Sequence, residues 1–130
     1  MRYISTRGAA PGLEFDDVLL TGLARDGGLY VPEAWPRLDG GMVKGLRGQS
    51  YETVATQIAA PFVAGGTLSD GVLRQLVTEA YAGFGHGARA PLVQIDQRLW
   101  LMELFHGPTL AFKDYAMQLL GRLFDHVLEQ

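Results

Sequence analysis

The sequence predicts an α/β protein, α+β within these residues, built in two unlike parts. Three observations carry this reading. From Met1 to Ala88 most apolar residues recur at helical spacing, broken by glycines and short extended pieces. From Arg89 to Gln130 the pattern changes to strand, strand, loop and helix. The chain then stops where an α/β fold needs its next parallel strand, so it is expected to be the N-terminal part of a longer polypeptide. The expected domains are a small, mostly helical one over residues 1–88 and the beginning of a second over residues 89–130.

Tyr3, Ile4 and Thr6 favour extended structure, so Arg2–Thr6 is read as a strand and Gly8–Gly12 as a loop. Phe15, Val18, Leu19, Leu20 and Leu23 repeat at helical spacing and predict a helix over Phe15–Ala24. Asp16 and Asp17 suit its first turn, where the helix dipole is positive. Gly27-Gly28 breaks the chain, and Leu29–Val31 is extended up to Pro32. A short helix is expected across Met42–Leu46. Ser50 is an N-cap for a helix to Val63, with Val54, Ile58 and Phe62 on one face and Pro61 loosening its last turn. Ser69 caps the next helix, whose stripe is Leu73, Leu76, Val77, Ala80 and Tyr81. After Gly83, Gly85 and Gly87, Leu92–Ile95 and Leu99–Phe105 read as a β-hairpin. The last helix, Asp114–Glu129, would span roughly 25 Å at about 1.5 Å per residue. Its expected stripe is Ala116, Leu120, Leu123, Phe124 and Val127, widened by Leu119 and Leu128.

Composition excludes several functions. Of 130 residues, 48% are hydrophobic and 19% charged, as in an ordinary soluble globular chain. The net charge of −3 and the lack of a Lys/Arg cluster argue against a nucleic-acid partner. No apolar run reaches the roughly 18 residues a membrane span needs, and Met1–Arg7 lacks a signal-peptide core. There is no cysteine, hence no disulfide frame and no thiol nucleophile. These features favour the cytoplasm. The 17 glycines are aperiodic, so they mark turns instead of a repeat.

Chemistry is expected at Glu103–Asp114, with the sequence ELFHGPTLAFKD. A strand enters it, Gly107 and Pro108 turn it, and Lys113 stands at the start of the last helix. A lysine is usually a solvated surface residue. Here the helix dipole disfavours a cation, and Ala111, Phe112 and Tyr115 promise an apolar setting. Both favour the neutral, nucleophilic amine that a Schiff-base lysine needs.

This segment resembles the lysine segment of the threonine synthase family, pyridoxal-phosphate enzymes of the tryptophan-synthase β-like fold, type II. YISTRG near the N-terminus, LARDGGLYVP from Leu23 to Pro32 and the AMQLLGRLFDHVL helix also resemble that family, in its order and spacing. The resemblance implies that Lys113 carries pyridoxal 5'-phosphate as a Schiff base and then shuttles protons. It implies a lyase that converts O-phospho-L-homoserine and water to L-threonine and phosphate. Phe112 and Asp114 match the residues that flank the lysine and fix its direction. His106, Gly107, Pro108 and Thr109 match the preceding loop. The family's phosphate-binding loop and most substrate contacts lie beyond the lysine helix, and no G-x-G-x-x-G or P-loop occurs here. This chain alone is therefore expected to be inactive.

The remaining candidates have plainer readings. His86, His106 and His126 lack metal-ligand spacing, so no metal site is expected; His126 reads as a helix-surface residue. Asp16 and Asp17 do not face each other on a helix. Arg7 in Ser5-Thr6-Arg7-Gly8 could bind an anion or simply follow a strand end. Trp35 and Trp100 read as core or domain-contact residues. Two alternatives stay open: a non-catalytic globular piece that self-associates through its apolar faces, and another lyase of the same cofactor fold.

Overall fold

Short polar side chains start three of the five helices, and small or apolar ones pack them. The computed structural model describes residues 1–130. Strand β1 (Arg2–Ser5) is central in a three-stranded antiparallel sheet, between β2 (Leu13–Glu14) and β3 (Tyr30–Pro32). Tyr3 and Ser5 face inward from β1 and are buried. Pro32 does not stop β3 but is its last member, opposite Tyr3. Helix α1 (Phe15–Thr21) is shorter than expected. Gly22, at φ 70°, ends it, and Leu23 leaves to pair with Leu29 in an isolated bridge.

Helix α2 (Gly40–Gly45) begins where Asp39 accepts from the amides of Gly41 and Met42. In α3 (Tyr51–Val63) and α4 (Asp70–Tyr81), Ser50 and Ser69 are the caps, their hydroxyls accepting from Thr53 and Val72 amides. Pro61 lies inside α3, which nevertheless continues to Val63. The hairpin forms from β4 (Leu92–Gln94) and β5 (Trp100–Met102), paired Leu92 to Met102 and Gln94 to Trp100. The second strand thus ends three residues before Phe105. The last helix, α5, is Asp114–Leu128.

One buried cluster holds the helices together: Val63, Leu68, Leu73, Val77, Ala80, Tyr81, Phe84 and Leu123. The stripe predicted for α4 supplies half of it. Two other predicted faces differ. On α3 the core side is Tyr51, Ala55, Ala59, Ala60 and Val63, whereas Val54, Ile58 and Phe62 line an open apolar groove of about 370 Å³. The alanines are small enough to let α3 approach α4, a preference that apolar spacing does not register. On α5 Leu123 and Val127 are buried as expected, but Tyr115 and Leu119 complete the inward row and Ala116 is exposed. The stripe is broad, so periodicity finds the inward face but not its edge.

Only 16 of the 130 residues are buried, few for a chain this long. The hairpin exposes Leu92, Val93, Trp100, Leu101 and Met102, and α5 exposes Met117 and Leu128. Trp35 touches Phe62 edge-on but is 68% exposed, and Trp100 is 53% exposed, so neither is a core residue here. No helix is long and apolar enough to cross a membrane.

Candidate functional site

The loop between β5 and α5 is built from two consecutive turns. Leu110 donates to the Gly107 carbonyl at 3.1 Å, and Asp114 donates to that of Ala111 at 3.0 Å. Lys113 is the residue before the helix, and its carbonyl accepts from Met117 at 2.9 Å. Leu110 has φ 62°, a left-handed conformation that costs a branched side chain about 1–2 kcal/mol.

Asp114 offsets that cost. It is 4% exposed and reaches back along the chain instead of capping its own helix. One carboxylate oxygen accepts from the Thr109 amide and the other from the Thr109 hydroxyl, both at 2.8 Å. Hydrogen bonds to a charged group are worth about 1.5–3 kcal/mol. Gly107 lies under this pair: a Cβ there would be 2.4 Å from the Asp114 Cβ. The glycine is thus required by close approach, not by an unusual φ.

A second set of contacts fixes the start of α5 from below. The Tyr115 hydroxyl donates to the Arg89 carbonyl at 2.6 Å, and the Tyr81 hydroxyl donates to the Tyr115 carbonyl at 2.8 Å. Tyr51, Tyr81, Phe84 and Tyr115 form a ladder of edge-on rings with centroids 4.9–5.2 Å apart. Burial pushes the hydroxyls of Tyr51 and Tyr81 above the usual tyrosine range, which keeps Tyr81 a protonated donor. Arg89, at φ 58°, donates twice to one oxygen of Glu52, at 2.7 and 3.0 Å. Hydrogen bonding to its own backbone amide, then to Arg89, holds the Glu52 carboxyl below the usual range. Nearby, Glu103 and the His106 ring nitrogen lie 2.7 Å apart, and the His86 and His106 rings meet at 5.1 Å.

At the other end of the chain, Asp26 organises the segments around Arg7 and Gly28. Its carboxylate accepts from the Ser5 hydroxyl and from the amides of Ala9 and Gly28. The Ser5 bond first, and then these amides, hold it below the usual carboxylate range. Arg7 donates to the Asp26 carbonyl at 3.0 Å, which accounts for Arg7 structurally. Asp16 does more than complement a dipole: it accepts from the Thr67 amide at 2.7 Å and joins α1 to the loop before α4.

The predicted site residues fall as follows. Lys113 is exposed, and its amine makes no ion pair. Ala111 is exposed and Phe112 is 67% exposed, so the apolar enclosure expected around Lys113 is not formed by its neighbours. The reason is geometric: the loop turns these side chains outward, and only Asp114 and Tyr115 turn in. Phe112 contributes through its carbonyl, which accepts from Tyr115. His126 also departs from expectation. It is half-buried with an unpartnered Nε2, beside Glu79, Arg122 and Asp125. Sequence reasoning missed the Thr109–Asp114 pair and took Tyr115 for apolar setting alone, not for its hydroxyl's bond; the one signal available for the pair was a Thr and an Asp five positions apart across a turn. Chemically, the loop offers a free primary amine on a fixed backbone, which fits covalent attachment of an aldehyde.

Residues 2–81 match the family model described as the N terminus of threonine synthase. A threonine synthase of Pseudomonas aeruginosa is 56% identical over 128 residues, covering 98% of this chain and 27% of the relative. A solved structure of PLP-bound threonine synthase from Brucella melitensis superimposes with TM-score 0.96 at 53% identity, over 100% of this chain and 28% of that one. The yeast threonine synthase structure gives TM-score 0.90 at 35% identity, over 98% of this chain and 26% of that one. The chain therefore spans about a quarter of the length of the relatives it matches.

Proposed function

The chain belongs to the threonine synthase family, and from that premise we propose that Lys113 is the amine that holds pyridoxal 5'-phosphate in the complete enzyme. Residues 1–88 then form the family's N-terminal domain, and residues 89–130 begin the catalytic domain. The reaction is conversion of O-phospho-L-homoserine and water to L-threonine and phosphate. The observation that carries the reading is a single unpaired lysine amine on a clamped loop at a helix start. The chemistry of this donor fits an aldehyde. When bound, pyridoxal phosphate supplies an electron sink for charge developing on the substrate carbons.

The chain's own residues act before and around that sink. Lys113 Nζ provides the point of covalent attachment and, once displaced by substrate, takes the α-proton. Asp114 and Thr109 hold the backbone that carries it. No phosphate-binding glycine loop is recognised in these residues, and Lys113 stands exposed to water. Alone, the chain therefore binds the cofactor weakly and does not turn over substrate. The outward faces of the hairpin and α5 support a second reading of the isolated chain, self-association through apolar surface. Another lyase of the same cofactor fold is the weaker reading: relatives at 56% and 38% identity are threonine synthases, whereas proteins named threonine synthase-like 2 match at 35%.

A chimera tests the proposal. These 130 residues replace the matching segment of the Pseudomonas aeruginosa relative, and phosphate release from O-phospho-L-homoserine is followed. The chimera should release phosphate together with an equal amount of threonine. Lys113→Ala should abolish both, and the 130 residues alone should give neither. Full turnover by the Lys113→Ala chimera would refute the assignment.

A further inference from the structure

We propose that Asp114 is a positioning residue: by clamping Thr109 it fixes the loop that carries the Lys113 amine. The inference rests on the reading of Lys113 given above. Three independent features converge on it. The buried carboxylate bonds to both donors of Thr109 and closes residues 109–114 into a small ring, with Lys113 inside it. Gly107 leaves room for that carboxylate and for no larger neighbour. Leu110, within the same ring, is held in a left-handed conformation that a free loop would relax. Tyr81 and Tyr115 hold the helix start just beyond the ring, but within the ring Asp114 is the one buried side chain: Leu110 and Phe112 are exposed, and α5 has no side-chain cap. Lys113 sits one residue from the carboxylate, so a slack ring would let its amine sample many directions.

The test compares the 130-residue chain with Asp114→Asn, Thr109→Val and Thr109→Ser. Asparagine can accept from one Thr109 donor but presents an NH2 group to the other. Valine removes the hydroxyl and keeps the shape, whereas serine keeps both donors. Each protein is incubated with pyridoxal phosphate and reduced with borohydride, and the ratio of pyridoxyl groups on Lys113 and Lys44 is read by mass spectrometry. Hydrogen exchange of the Thr109 and Leu110 amides is measured in parallel. In Asp114→Asn and Thr109→Val the amide at position 109 should exchange about tenfold faster or more. The labelling ratio should fall about threefold or more as the amine loses its fixed approach. Thr109→Ser should behave like the parent in both.

Folded Asp114→Asn and Thr109→Val proteins with the parent's ratio and exchange would overturn the proposal. Should Asp114→Asn fail to fold, the valine and serine variants decide in the same way. A parent chain that labels Lys113 no better than Lys44 would show that these residues alone do not direct the cofactor, and would leave the cofactor reading to the chimera. Exchange at Thr109 would then decide the clamp: acceleration in Thr109→Val upholds it, and no change refutes it.

Discussion

Placing a methyl group on Gly107 should disrupt the lysine loop without touching the lysine. In Gly107→Ala the new Cβ would lie 2.4 Å from the Asp114 Cβ and 2.5 Å from its Oδ2. Ordinary carbon–carbon contact needs about 3.5 Å or more, so Asp114 must retreat by about 1 Å. It is buried and cannot swing into solvent. A retreat of that size takes a 2.8 Å hydrogen bond to Thr109 beyond bonding distance. Overpacking costs about 1–3 kcal/mol, and a lost bond to a buried charge adds a similar amount. Because the two effects share one displacement, the expected total is about 2–4 kcal/mol. Urea unfolding followed by fluorescence and far-ultraviolet circular dichroism measures it. A loss below about 0.5 kcal/mol, the range of ordinary surface substitutions, would refute the packing argument for the loop.

Other outcomes follow from the same structure. Gly121 lies inside α5 with open space where a Cβ would go, so Gly121→Ala should stabilise by about 0.5–1 kcal/mol in the same assay. Leu73 is 1% exposed at the centre of the buried cluster, and Leu73→Ala should cost about 2–5 kcal/mol. Asp26 and Glu52 have carboxyls held below their ordinary range, so as pH falls the unfolded chain takes up their protons first. Their stabilisation is therefore full above the unfolded values of about 4 and is lost as pH drops through the lower folded values. The urea midpoint should fall steeply below about pH 4, and Asp26→Asn and Glu52→Gln should flatten that fall while lowering the midpoint at neutral pH.

Much of this fold is written locally. Ser50 and Ser69 mark helix starts because a hydroxyl can satisfy an orphan amide only there, and both do so. The α4 stripe is legible because its other face is polar. Strand β2 is not, since two residues carry no period and its pairing is set by β1 across the sheet. The inward side of α3 is illegible for the opposite reason: its apolar residues lie on more than one side, and the choice of side depends on which neighbour arrives. At the site, Lys113 can be singled out from its motif. Asp114 reads as a flanking residue because its partner, Thr109, is reached by a turn backward along the chain. Likewise His126 reads as surface until α4 is packed beside α5 and takes its Nε2 out of water. The Lys113 surroundings invert the case: apolar neighbours in sequence suggest enclosure, yet the loop turns Ala111 and Phe112 outward.

The assignment of Lys113 is tested most directly on the chimera with the Pseudomonas aeruginosa relative. It is loaded with pyridoxal phosphate, reduced with borohydride, digested, and mapped by mass spectrometry. The account predicts that the reduced cofactor is found on Lys113. A pyridoxyl group on any other lysine, with Lys113 unmodified, would contradict it.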